Sequence, residues 1–154
     1  MFRLTALGGT FDIIHDGHLI LIQNAISVSE KIIIGLTSDS FIAKTGKKIT
    51  NNFEQRFKNL EKIIHEKFPD CSFEIAKLDD DFGPAVIEGD VDALVVSEET
   101  RKKGDILNAL RKERKLNPIE IITVPMKMAS DGNRISSTRI RNSEIDSSGN
   151  VLVD

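Results

Sequence analysis

Five short apolar runs punctuate the chain: LTAL at 4–7, IIIGL at 32–36, SFEIAKL at 72–78, ALVV at 93–96 and IEIITV at 119–124. Their length and branched side chains predict β-strands. Three of them are continuously apolar, which fits strands buried on both faces of a parallel sheet. Between them lie longer segments with helical periodicity. The clearest is FEQRFKNLEKIIHEKF at 53–68, where Phe53, Phe57, Leu60, Ile64 and Phe68 share one face. Asn52 is placed to cap that helix, with Gln55 reaching back to it. Residues 17–30 are apolar on more than one side, and residues 105–115 put Ile106, Leu107 and Leu110 inward with Asp105 as cap. A last helix is expected from Ser136 through Ile145, after a Ser-Asp-Gly-Asn turn at 130–133. Residues 43–52, AKTGKKITNN, read as the one mobile connection.

Strands alternating with helices in this order predict a Rossmann-like α/β fold: a doubly wound, five-stranded parallel sheet with helices on both faces. With 154 residues, 40% of them hydrophobic, the chain is expected to form a single domain over 1–154. Ligands of such sheets bind beyond the carboxyl ends of the strands, so the residues just after each strand carry the functional signal.

GGTFDIIHDGH at 8–18 follows the first run. Gly8 and Gly9 allow a nucleotide to approach the backbone closely. The helix opening near Gly17 is expected to aim free N–H groups at an anion, and His15 and His18, three apart, can face the same anion. His65, alone on a helix flank, is given no role. The segment matches neither the Walker pattern nor the three-glycine dinucleotide fingerprint.

A second anion site is expected at RISSTRIR, 134–141, where Ser136, Ser137 and Thr138 open a helix and Arg139 and Arg141 add planar cations. An acceptor phosphate would need a cation after the second strand, where Lys44, Lys47 and Lys48 are available. Thr100 and Arg101, after the fourth run, are placed to meet adenosine or phosphate. Asp79, Asp80 and Asp81 read as a solvated strand end, and RKERK at 111–115 as the wet face of its helix.

A net charge of −3, with no Trp or Tyr, argues against a nucleic-acid partner. Cys71 is the only cysteine, which leaves no zinc-type spacing and no intrachain disulfide. No apolar stretch suits a signal peptide or a membrane span, so a cytoplasmic protein with no membrane partner is expected. A monomer is the expected assembly.

His-x-Gly-His after the first strand and ISSTRIR after the last form the signature pair of the adenylyltransferase branch of nucleotidyltransferases. With SEET at 97–100 and ISSTRIRNSEID at 135–146, nearly the whole chain resembles archaeal phosphopantetheine adenylyltransferases. The resemblance implies adenylyl transfer from ATP to 4′-phosphopantetheine, giving dephospho-coenzyme A and pyrophosphate. It implies that Thr10 and Phe11 lie where the two substrates meet, that His15 and His18 contact the triphosphate, and that Ser137 and Thr138 bind its distal phosphates. It also favours Lys44 for the acceptor phosphate, with Mg²⁺ held mainly by phosphates and water rather than by a dedicated carboxylate site. Ile13 departs from the family, in which proline is common at that place. The same ATP motifs would serve another acceptor, such as nicotinamide mononucleotide or FMN, or a non-catalytic nucleotide sensor.

Overall fold

The computed structural model describes residues 1–83 and 89–152. Five strands, β1 (Phe2–Gly9), β2 (Ser29–Thr37), β3 (Phe73–Leu78), β4 (Ala93–Ser97) and β5 (Glu120–Val124), form one sheet in the order β3-β2-β1-β4-β5. Every pairing is parallel. The helices are α1 (Asp16–Val28), α2 (Asp39–Thr45), α3 (Phe53–Lys67), α4 (Lys102–Glu113) and α5 (Ser137–Arg141).

The apolar runs form this sheet because alternate side chains feed two cores. Leu7, Ile32, Ile34, Leu36, Val95 and Val124 meet Ile22 and Ala25 of α1 and Leu60 and Ile64 of α3 on one face. Ala6, Ile33, Leu94 and Val96 meet Leu107 of α4 on the other. The edge strand β3 is only partly buried, with Glu74 and Lys77 exposed. The expected doubly wound sheet, covered on both faces, is therefore present. Its strand order reverses direction at β1, between β2 and β4, which opens the crevice where ligands of such sheets bind.

The capping box foreseen for α3 forms: Asn52 Oδ1 accepts the Gln55 N–H and Gln55 Oε1 accepts the Asn52 N–H, both at 2.9 Å. α4 differs from expectation. It starts at Lys102 rather than being capped by Asp105, and its inward face is Gly104, Leu107 and Arg111, so Ile106 is exposed. The cause is steric, since a Cβ at Gly104 would lie 2.7 Å from Ile121 and only glycine lets the helix settle there. Arg111, expected on the wet face, is buried and donates to the Asn117 and Gly89 carbonyls.

The last helix is also shorter than expected. It stops at Arg141, and Ser143 turns the chain with φ 60°. Ile145 instead pairs with Val151 and is fully buried with Ala129 and Ile135 in a small separate core. Nor is 43–52 a free connection. Its first residues belong to α2, which ends at Gly46 in the left-handed region, and Thr50 and Asn51 are tied to Asp12. Among the described residues, no helix is long and apolar enough to cross a membrane.

Candidate active site

Gly8 and Gly9 are the last residues of β1 rather than part of the turn after it. The turn itself is made by Phe11, at φ 48°, whose ring is buried and rests against the His18 ring at 4.8 Å between centroids. A Cβ on Gly9 would lie 3.1 Å from that ring, so the glycine makes room for the phenylalanine.

His15 caps α1 and His18 lies in its first turn. Their rings stack at 3.7 Å with 21° between planes. His15 Nδ1 accepts the Gly17 N–H at 3.1 Å, and His18 Nδ1 accepts the His15 N–H at 3.2 Å. A neutral imidazole whose Nδ1 is an acceptor carries its proton on Nε2. Each ring is therefore held with an Nε2–H donor. Burial, reinforced by the nearby Arg134 charge and partly opposed by Asp16, pushes His15 down to about 4. Burial, then the charge of His15, lowers His18 well below the usual imidazole value. Both rings are neutral donors near neutral pH. Gly17 permits the stack, since a Cβ there would sit 2.9 Å from the His15 ring.

The backbone of this helix start is not free for an anion, contrary to expectation. The Asp16 N–H donates to Ser147 O at 2.9 Å, the Gly17 N–H to His15 Nδ1, and the His18 N–H to His15 O at 3.0 Å. Two imidazole donors stand in place of the backbone groups.

The second motif is fastened directly to this loop. Ser137 Oγ donates to Ile13 O at 2.9 Å and accepts the Ile13 N–H at 3.2 Å. The departure from proline at Ile13 therefore supplies an N–H that proline lacks. Ser136 caps α5 by accepting the Arg139 N–H at 3.2 Å, and Thr138 is exposed in its first turn. The two arginines expected to meet phosphate are occupied. Arg139 is bound to Asp131, Glu144 and the Arg134 carbonyl, and Arg141 to Asp12 and to Thr50 Oγ1.

Asp12 binds these parts together. Its buried carboxylate accepts the Thr50 and Asn51 N–H groups, both at 2.9 Å, and pairs with Arg141. Burial alone would raise its pKa, but those two N–H groups and the Arg141 guanidinium outweigh it and lower the carboxyl. Two further ion pairs join distant segments near the two motifs, Lys127 with Asp16 and Arg134 with Glu99. The second joins SEET to RISSTRIR. After β4, Thr100 exchanges hydrogen bonds with Ser97, and Arg101 is exposed at the start of α4. Thr10 is half-buried, its Oγ1 accepting from Thr37 Oγ1 at 3.3 Å. Lys44, in the last turn of α2, and Lys47 and Lys48 beyond it are all exposed.

The sequence reading missed Asp12 and Arg56. Arg56 is fully buried and binds the carbonyls of Thr10, Thr37 and Asn51. Its place three residues after Phe53 and four before Leu60, on the inward stripe of an amphipathic helix, is the signal that could have found it. Asp79, Asp80 and Asp81 are exposed, and His65 packs edge-on against Phe73 at 5.3 Å.

The cytidylyltransferase-like family model matches residues 6–143. Phosphopantetheine adenylyltransferase from Methanothermobacter thermautotrophicus is 42% identical over 151 residues, covering 98% of this chain and 90% of that protein. The enzyme of that name from Methanosarcina barkeri is 43% identical, covering 95% of this chain and 91% of its own length. A crystal structure of a protein of unknown function from Archaeoglobus fulgidus aligns with a TM-score of 0.72 at 33% identity, over 79% of this chain and 89% of that one.

Proposed function

The chain belongs to the cytidylyltransferase-like family, and from that premise we propose that it transfers the adenylyl group of ATP to 4′-phosphopantetheine, giving dephospho-coenzyme A and pyrophosphate. The observation that carries this reading is the Ser137–Ile13 clasp, which joins the two motifs at the carboxyl ends of the strands of a chain so similar to enzymes of that name.

In the reaction an acceptor phosphate oxygen attacks the α-phosphorus of ATP in line. The new P–O bond forms as the bond to the β-phosphate bridging oxygen breaks, and pyrophosphate leaves with that electron pair. A phosphate monoester is largely ionised near neutral pH, so the enzyme needs neither a base nor a nucleophile of its own. Its task is positioning and stabilisation of developing charge. Fixed Nε2–H donors suit this task, because they need no reorientation as charge builds on the phosphoryl oxygens. His18 is assigned to the α-phosphate or its bridging oxygen, and His15 to the neighbouring phosphates. Gly8, Gly9, Phe11, Thr100, Arg101, Ser136, Ser137, Thr138 and Arg141 complete the proposed nucleotide site. Ser137 and Arg141 act there at least in part by holding the loops together. Thr10 and Lys44, with Lys47, are assigned to the acceptor.

Mg²⁺ is proposed to enter with the phosphates of ATP. Each imidazole has its Nδ1 lone pair taken by a backbone N–H and its proton on Nε2, which leaves no ring lone pair for a metal, and a hard cation prefers phosphate and water oxygens. Among the described residues, no three His, Cys, Asp or Glu side chains form a group that could hold a metal ion.

Pyrophosphate release from ATP and Mg²⁺ with 4′-phosphopantetheine, nicotinamide mononucleotide, FMN or no acceptor tests the assignment. Release only with phosphopantetheine is expected. Release with another acceptor alone would keep the ATP site and overturn the acceptor, and ATP binding without release would leave a nucleotide sensor.

A further inference from the structure

The last paired residues of β1 and β2 are Gly9 and Leu36, and beyond them the two strands have no ladder to hold them at a fixed separation. The next residues are Thr10 and Thr37. There, beside the Thr37–Thr10 hydroxyl contact at 3.3 Å, one atom bridges the two carbonyls, since Arg56 Nη1 donates to Thr10 O at 3.0 Å and to Thr37 O at 2.8 Å. The same guanidinium donates from Nε to Asn51 O at 3.2 Å and from Nη2 to Asp39 Oδ1 at 2.7 Å. One rigid plane thus fixes the ends of two strands, the first residue of α2 and the loop before α3.

Burial makes the arrangement specific. The Arg56 side chain is wholly excluded from solvent, whereas its carboxylate partner, Asp39, is 49% exposed. A buried cation is retained only where its donors find partners, and three carbonyls and one carboxylate take four of its five N–H groups here. Phe53 covers the guanidinium at 5.7 Å, and Asp39 Oδ2 also accepts the Phe53 N–H at 3.2 Å. Lysine could not replace it, because an ammonium is a compact point donor without the planar fork that spans these acceptors.

These segments hold or adjoin the residues assigned above to the acceptor. Thr10 carries the substrate junction, α2 carries Lys44, and the loop from Lys47 to Asn51 returns to Asp12. The geometry points to Arg56, acting with Asp39, as the positioning residue for the acceptor: it sets the distance between Thr10 and the Lys44 helix without touching either substrate. This assignment rests on the function proposed above. A displacement of about 1 Å in a substrate-holding element can cost on the order of a hundredfold in rate, so the guanidinium controls acceptor binding from outside the site.

The test is steady-state pyrophosphate release by wild type, Asp39→Asn, Arg56→Lys and Arg56→Gln, with each substrate varied in turn. Asp39→Asn is expected to raise KM for 4′-phosphopantetheine roughly tenfold while KM for ATP stays within about twofold. Arg56→Lys, which keeps charge but not the fork, is expected to resemble Arg56→Gln rather than wild type. Should the Arg56 variants fail to fold, the half-exposed Asp39 decides the matter alone. An unchanged acceptor KM in Asp39→Asn, or equal rises for both substrates, overturns the positioning role while the functional reading stands. No phosphopantetheine-dependent release by wild type overturns both.

Discussion

Replacing Asp12 by alanine removes the acceptor for two backbone N–H groups at 2.9 Å and the partner of Arg141. A hydrogen bond to a charged group contributes about 1.5–3 kcal/mol, and a buried donor left without a partner costs about as much again. The full sum does not apply here, because Thr50 is exposed and the Arg141 side chain is 27% exposed, so water replaces part of what is lost. About 3 kcal/mol remains, which for a domain of this size lowers Tm by roughly 6–12 °C. Asp12→Asn keeps an acceptor oxygen but loses the charge, and should cost about 1–2 kcal/mol. The pH dependence separates charge from shape. The folded carboxyl lies below its ordinary 3.8, so its contribution is fully present above that value and is lost as pH falls through the lower folded one. Urea denaturation of wild type and Asp12→Asn near neutral pH and again near pH 3 should show the gap between them closing in acid. A Tm change below about 2 °C for Asp12→Ala, or a gap that does not vary with pH, would show that Asp12 does not hold these segments together through its charge.

Three further outcomes follow from the site and the core. His18→Ala should lower kcat on the order of 10²- to 10³-fold with the circular dichroism spectrum preserved, and unchanged turnover would remove His18 from the mechanism. Nitrogen-15 NMR of the imidazoles should show both rings as Nε2–H tautomers. His15 should titrate only near 4, and the stability associated with the two rings should fall as pH drops from about 6.5 towards that value, because the unfolded chain takes up protons first. Thr5 is fully buried in β1, and its hydroxyl has no partner among the described residues. Thr5→Val should therefore stabilise the fold by about 1 kcal/mol in urea melts, and a loss of stability would mean that the hydroxyl is bound after all.

What could be read in the sequence was local. Five apolar runs, the Asn52 and Gln55 cap and the two motifs depend on neighbours within a few residues, and the periodicity and spacing carry that information directly. What escaped was the buried polar framework beneath the site. Asp12 finds its partners 38, 39 and 129 positions away, and Arg56 finds Thr10 across 46. A charged residue in a motif or on a helix looks the same in sequence whether it faces water or a distant carbonyl. Arg111 shows the converse error, because a basic cluster suggested a wet face while Gly104 and Leu107, seven and four residues earlier, were rotating that arginine inward. The backbone N–H groups of α1 were misjudged for the same reason, since the carbonyl that takes the Asp16 N–H belongs to Ser147, near the other end of the chain.

The most direct test of the account is mass spectrometry of the product formed from ATP, Mg²⁺ and 4′-phosphopantetheine, with pyrophosphate measured in the same reaction. Dephospho-coenzyme A in equal amount to pyrophosphate is expected. Pyrophosphate accompanied by free AMP, or no new pantetheine species under conditions where ATP binds, would contradict it.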